Sequence, residues 1–181
     1  MLLLTLIGCQ TPRTEPAPSQ LFEPGPAAQM DFWHALPDRP LTTHDEAFHG
    51  LLLLFTDTSP ATYDERVARM KELKLLDQGF HAPPEQAVDR GTVAVAICRG
   101  LKIRGGLVMS LTGATPRYAV RELRVLGLLP AISSPNQTLS GAEFVSVVGA
   151  VQDYQTGDPS RVPASVMPSE VTQRDMPNQK P

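Results

Sequence analysis

The sequence predicts an all-α domain: three helix-loop-helix repeats packed with pseudo-threefold character, between two disordered tails. Three observations predict it. One local plan occurs at residues 37–55, 84–101 and 135–154: a proline five residues ahead of a helix-capping residue, then a largely apolar helix. Two amphipathic segments, residues 62–80 and 117–132, stand between these copies and align with each other. The 18 prolines, about twice the usual share of ~5%, gather at the ends, five in residues 10–30 and five in residues 155–181.

The chain opens on an apolar run, MLLLTLIGCQ, that ends in Leu6-Ile7-Gly8-Cys9. This resembles a bacterial lipoprotein signal peptide, whose lipobox has an aliphatic residue three before the cysteine and a small one just before it. The resemblance implies that residues 1–8 are removed, that Cys9 carries a thioether-linked diacylglycerol, and that a further acyl chain, usually palmitate, caps the new amino group. Each buried CH₂ contributes ~0.8 kcal/mol, so two or three chains anchor stably where one binds marginally. The run itself is too short to span a bilayer, which takes ~20 apolar residues. Residues 9–30 then form a lipidated, Pro-rich tether. Gln10 stands where inner-membrane lipoproteins carry aspartate, so the resemblance implies the outer membrane, facing the periplasm, in a cell with two membranes.

The helical domain is expected over residues 31–154. Its first unit takes a leading helix from AAQMDFWHAL, with the only tryptophan, Trp33, in the core or a groove wall. The aligned plan makes Thr42, Asp89 and Ser140 the caps, each with a side-chain oxygen for an orphan N–H of the first turn, worth ~1 kcal/mol. Ser140 with Glu143 makes a capping box and Leu139 with Phe144 a hydrophobic staple. Val88 and Val93 staple the second copy. The first copy has Asp45 at the box position and Glu46 at the staple position.

Within residues 62–80, Val67, Met70, Leu73 and Leu76 share one face, opposite Asp64, Glu65, Lys71 and Glu72. Within residues 117–132, Val120, Leu123 and Leu126 face inward, Gly127 suits a helix C′ position and Pro130 stops continuation. Aligning the two pairs Val67 with Val120, Met70 with Leu123, Lys74 with Gly127, Leu75 with Leu128 and Leu76 with Leu129. The connector at residues 102–116 contains Gly105-Gly106, and residues 107–111 form either a short strand or one helical turn. It lacks the Gly-Lys-Ser/Thr ending of a phosphate loop. Both tails lack sustained apolar periodicity and cannot offset the entropy of ordering. No unit can bury its apolar face alone, so three around one core is the economical arrangement.

The unit resembles an S-layer homology repeat. Ala119, Val120, Leu123, Gly127, Leu128 and Leu129 match the first part of its consensus, and Pro135, Asn136, Leu139, Ser140, Ala142, Glu143 and Phe144 the second. Residues Val67, Met70, Leu75, Leu76, Pro84, Val88, Asp89 and Arg90 match in the preceding unit. The resemblance implies three repeats about a pseudo-threefold axis and binding of cell-wall polymer in the grooves between them, through the arginine of the motif. Arg90 holds that position; Thr43 and Gly141 hold it in the other units. The leading tryptophan of the family is replaced in the later units, where Tyr63 and Tyr118 are the nearest aromatics. Arg90, Trp33, Tyr63 and Tyr118 are therefore the candidate ligand residues. Arg90 is open to a second reading as a surface charge beside its cap.

Catalytic and metal chemistry is not expected from these residues. His44 and His49 are five positions apart, which turns a helix by ~500° and separates the rings; a solvated first turn with one groove-lining histidine is the expectation. Cys98, among Val93, Ile97 and Leu101, reads as a small hydrophobe, and with Cys9 lipidated no intramolecular disulfide is expected. Glu65, Glu72, Glu122 and Glu143 have plain helical roles. Arg117, Arg121 and Arg124 recur at helical spacing, as a solvated face paired with Glu122 or as a site for acidic polymer. A net charge of −3 and a pI near 5.8 give no electrostatic case for nucleic acid. Together these features point to a non-catalytic, lipid-anchored envelope protein without cofactor, whose partners are the membrane and either cell-wall polymer or another envelope protein. The alternative is a protein-docking adaptor with an apolar patch near Tyr63, Tyr118 or the connector.

Overall fold

The structure, a computed structural model, describes residues 25–103 and 114–157. Cys9, most of the expected tether, Gly105-Gly106, residues 107–111 and the tail beyond Gly157 lie outside these residues. Six α-helices occur among the described residues: α1 Pro26–Ala35, α2 His44–Thr56, α3 Tyr63–Glu72, α4 Arg90–Gly100, α5 Pro116–Val125 and α6 Gly141–Thr156. A 3-10 turn, Leu36–Asp38, continues α1. The described residues form no sheet, only isolated antiparallel bridges from Thr43 to Ala87 and from Asp89 to Thr138. The fold is all-α, as the sequence predicts.

α1 starts with Pro26 in its first turn, where the missing N–H costs nothing. The helical body therefore reaches back past the expected boundary at Asp31. α3 is shorter than residues 62–80 suggest, ending at Glu72.

The caps Asp89 and Ser140 stand where expected, accepting from Thr92 N and Glu143 N, and Ser140 with Glu143 closes a full capping box. The first cap is Thr43, not Thr42. Thr43 accepts from Glu46 N while the Glu46 carboxylate accepts from Thr43 N at 2.7 Å. The physical reason is that the Thr42 backbone is engaged elsewhere. Its N–H donates to Leu139 O at 2.8 Å, and its carbonyl accepts from Val88 N at 2.9 Å, tying together the loops that precede α2, α4 and α6.

The alignment of residues 62–80 with 117–132 holds at the helix ends. Lys74 and Gly127 are both left-handed, with φ of 60° and 73°. Past each, the chain makes the same bonds: Leu75 N and Leu76 N donate to Met70 O at 2.8 and 3.2 Å, and Leu128 N and Leu129 N donate to Leu123 O at 2.8 and 3.2 Å. Glycine reaches this conformation freely; lysine pays a strain of about 1 kcal/mol. In return, Leu75, Leu76, Leu128 and Leu129 are all delivered into the core.

One core joins all six helices. α4 lies along α5, α2 meets α3, α4 and α6, and α6 packs on the 3-10 turn. The staple residues Val88, Val93, Leu139 and Phe144 are buried in it. Cys98 is buried beside them as a free thiol; burial, with the Glu122 charge adding, pushes it up to about 12.

Candidate ligand groove

The helices α2, α4 and α6 each begin under the loop that precedes another of them. His44 N and Asp45 N donate to Gln86 O and Pro84 O at 2.9 and 3.2 Å. Arg90 N and Gly91 N donate to Gln137 O and Pro135 O at 2.8 and 2.9 Å. Gly141 N donates to Arg39 O at 3.0 Å. The orphan N–H groups of three helix starts are thus satisfied by carbonyls of neighbouring loops. The acceptors Arg39, Gln86 and Gln137 are each two residues past the aligned prolines Pro37, Pro84 and Pro135. The first residue of each helix, His44, Arg90 or Gly141, is held in that seam. With the cap at Thr43, the residue in the place of Arg90 in the first unit is His44 rather than Thr43.

Arg90 is 5% exposed, which settles the sequence alternatives against a solvated surface charge. Its Nη1 donates to Ser133 Oγ at 3.0 Å and its Nη2 pairs with Glu143 Oε1. Its buried Nε has no hydrogen-bond partner. Glu143 is tethered from behind, since its Oε2 accepts from Ser140 N at 2.9 Å. That backbone N–H, and after it the Arg90 charge, hold the Glu143 carboxyl below its usual range against partial burial. Arg90 and Glu143 border a groove of about 290 Å³. Its remaining wall is mostly apolar, from Leu128, Leu129, Leu139 and Val147, with Ser146 on the rim.

At the other two helix starts the residue in the place of Arg90 is differently surrounded. His44 donates from Nδ1 to Gln86 O at 3.0 Å and packs its ring against Phe48 and Phe80, with centroids 5.6 and 5.4 Å away. Burial lowers its pKa. At Gly141 any side chain is excluded, because a Cβ there would fall on the Leu36 carbonyl oxygen.

The candidate ligand residues do not converge. Trp33 is half-buried, set edge-on to Phe32 at 5.0 Å and close over Gly50. Tyr63 stacks on Phe48 at 6.0 Å and donates its hydroxyl to Ala82 O at 2.8 Å, so it packs near His44. Tyr118 borders a different groove, described below.

The first turn of α2 is not solvated, contrary to the sequence expectation. His44, Asp45 and Glu46 are all buried. Asp45 pairs with Arg66 Nη1, both with almost no exposed surface, and Glu46 pairs with Arg39 Nε at 2.9 Å. Burial raises the Glu46 pKa against the pull of the Thr43 N–H and Arg39. His49 Nδ1 meets Ser59 Oγ at 2.9 Å, which brings a serine, a histidine and an acid into one neighbourhood. Arg66 bonds to two members of that set. Its Nε donates to Ser59 Oγ at 3.2 Å while Nη1 holds Asp45. Burial first, and Arg66 next, push His49 down to about 4. The cluster is an ion-pair network that binds α2 to α3.

No protein-family model, curated protein or solved structure matches the chain. The functional argument therefore rests on the residues of this chain.

Proposed function

We propose that the protein is a non-catalytic, lipid-anchored component of the bacterial envelope that binds an acidic cell-wall polymer in the Arg90 groove. In this reading its helical body packs as three pseudo-threefold units of the S-layer homology kind. The seam of helix starts under neighbouring loops supports that arrangement, as does the repeated geometry at Lys74 and Gly127. Cys9 would hold it, through the Pro-rich tether, at the outer membrane on its periplasmic side.

Arg90 carries the proposal. It is the residue that the motif resemblance singles out, and it borders an apolar groove beside a partner, Glu143, that is itself partly exposed. A carboxylate or phosphate on the ligand would exchange with Glu143. The Glu143 side chain is 44% exposed and keeps its Ser140 partners when it lets go. Charge-assisted bonds of this kind are about twice as strong as neutral ones, more so where apolar walls exclude water.

The test is co-sedimentation of the full chain, carrying Cys9→Ser to remove acylation, with cell-wall sacculi that retain their attached polymers. Wild-type protein is expected in the pellet. Ser146→Trp, which fills the groove from its exposed rim, is expected to stay in solution with an unchanged melting temperature, and Arg90→Ala is expected to stay in solution as well. If the wild type does not sediment, polymer binding fails. The protein-docking adaptor would then lead, a reading favoured by Ile132 and Val125, which are 92% and 61% exposed.

A further inference from the structure

Eight arginines lie among the described residues, and five of them have an acidic partner. The pairs are Arg39–Glu46, Arg66–Asp45, Arg69–Glu72, Arg90–Glu143 and Arg99–Asp77. The other three, Arg117, Arg121 and Arg124, have no acidic partner among the described residues, and all three stand on α5. Steps of four and three residues, at ~100° each, confine them to a stripe ~60° wide and ~10 Å long. The expected pairing with Glu122 does not form. Glu122 lies ~100° round the helix from Arg121, and its charge bears on Cys98 instead.

The stripe borders a groove of about 500 Å³ between α5 and the loop at residues 133–135, with Tyr118 and Ser134 contributing hydroxyls. The start of α5 adds to the same field. Thr115 makes no side-chain cap bond and the first turn holds no acid, whereas α2, α3 and α6 all carry capping boxes with Glu. Like charges one turn apart repel by ~0.2–0.5 kcal/mol per pair, so the apo protein bears a small standing cost there.

We propose that this groove is a second ligand site, one for a soluble oligoanion carrying several linked phosphate groups. Guanidinium forks match phosphate oxygens two at a time, and a row of three meets the charge density of linked phosphates better than that of isolated carboxylates. The concave wall suits a chain lying along α5 rather than a flat membrane surface. This groove is lined by residues other than those of the Arg90 groove and meets it only through Ser133, which lines this one. The neighbouring Ser133 Oγ is committed to Arg90 Nη1 and Pro130 O.

The experiment is calorimetric titration of the full chain with inorganic tripolyphosphate at about 0.15 M salt, where screening suppresses unspecific attraction. The expected result is saturable binding weakened at least about tenfold by Arg117→Gln/Arg121→Gln/Arg124→Gln. Binding is expected to persist in Arg69→Gln/Lys71→Gln/Lys74→Gln, which removes equal charge from α3 and the turn after it. Circular dichroism checks that each variant folds. No binding by the wild type, or equal loss in the α3 control, overturns the proposal. Sedimentation with phosphatidylglycerol vesicles in the absence of tripolyphosphate binding also overturns it, in favour of a lipid surface.

Discussion

Replacing Asp45 by Asn keeps the shape of the buried Asp45–Arg66 pair and removes one of its charges. Arg66 is 1% exposed and Asp45 0%, and a guanidinium does not escape by losing its proton. Arg66 would still donate to Ser59 Oγ, Pro60 O and Ala61 O. Breaking a buried pair from one side costs about 3–5 kcal/mol, and these neutral acceptors place the loss near the lower end. At roughly 3–6 °C per kcal/mol for a domain of this size, the melting temperature should fall by roughly 10–20 °C. The assay is thermal and urea unfolding of the full chain for Asp45→Asn, Arg66→Met and the double variant. Removing both charges is expected to recover most of the loss, because apolar replacement of a buried pair is often neutral. A loss below about 1 kcal/mol for Asp45→Asn, the range of exposed pairs, would falsify the claim that this pair is dry.

Gly141→Ala should be among the most damaging single changes, unfolding the chain or shifting α6, because the added Cβ meets the backbone of Leu36 rather than a movable side chain; thermal unfolding checks it. His49 is held neutral, so its contribution is fully present above its ordinary value of 6.5 and is lost as pH falls through about 4. Stability measured by urea unfolding should therefore drop across that window, less steeply in His49→Gln, while Glu46, with its raised pKa, pulls the other way by losing stability as pH rises. Cys98, pushed up to about 12, should react with a thiol reagent at pH 8 only as fast as the protein unfolds; rapid labelling of folded protein would contradict its burial.

The helix starts were legible because a cap is local chemistry. Ser140 and Glu143 declare themselves three residues apart, and Asp89 is marked by Val88 just before it and Val93 four residues after it. The first unit has one extra residue between Arg39 and Thr43, so a gapless register puts its cap one residue early. The residues held the correction in plain view, since Thr43 with Glu46 spells the capping box, and Thr62 with Glu65 spells another. Buried charge was illegible for a different reason. Asp45 and Arg66 stand 21 residues apart on different helices, and nothing in helical periodicity distinguishes an arginine that will be buried from one that stays wet.

The same spacing places a different residue beside each helix start. Phe80 and Ser133 each lie six residues past a left-handed turn residue, Lys74 or Gly127. Phe80 comes to rest against His44, and Ser133 against Arg90. At the first seam an aromatic ring fills the space beside a neutral imidazole. At the second a small hydroxyl leaves a guanidinium with room beside it, and the groove of about 290 Å³ survives there. At the third the backbone of Leu36 occupies the side-chain position itself, so glycine is required and no groove residue can exist. The loop position opposite each helix start, as much as the arginine position, therefore sets what surrounds the first residue of each helix.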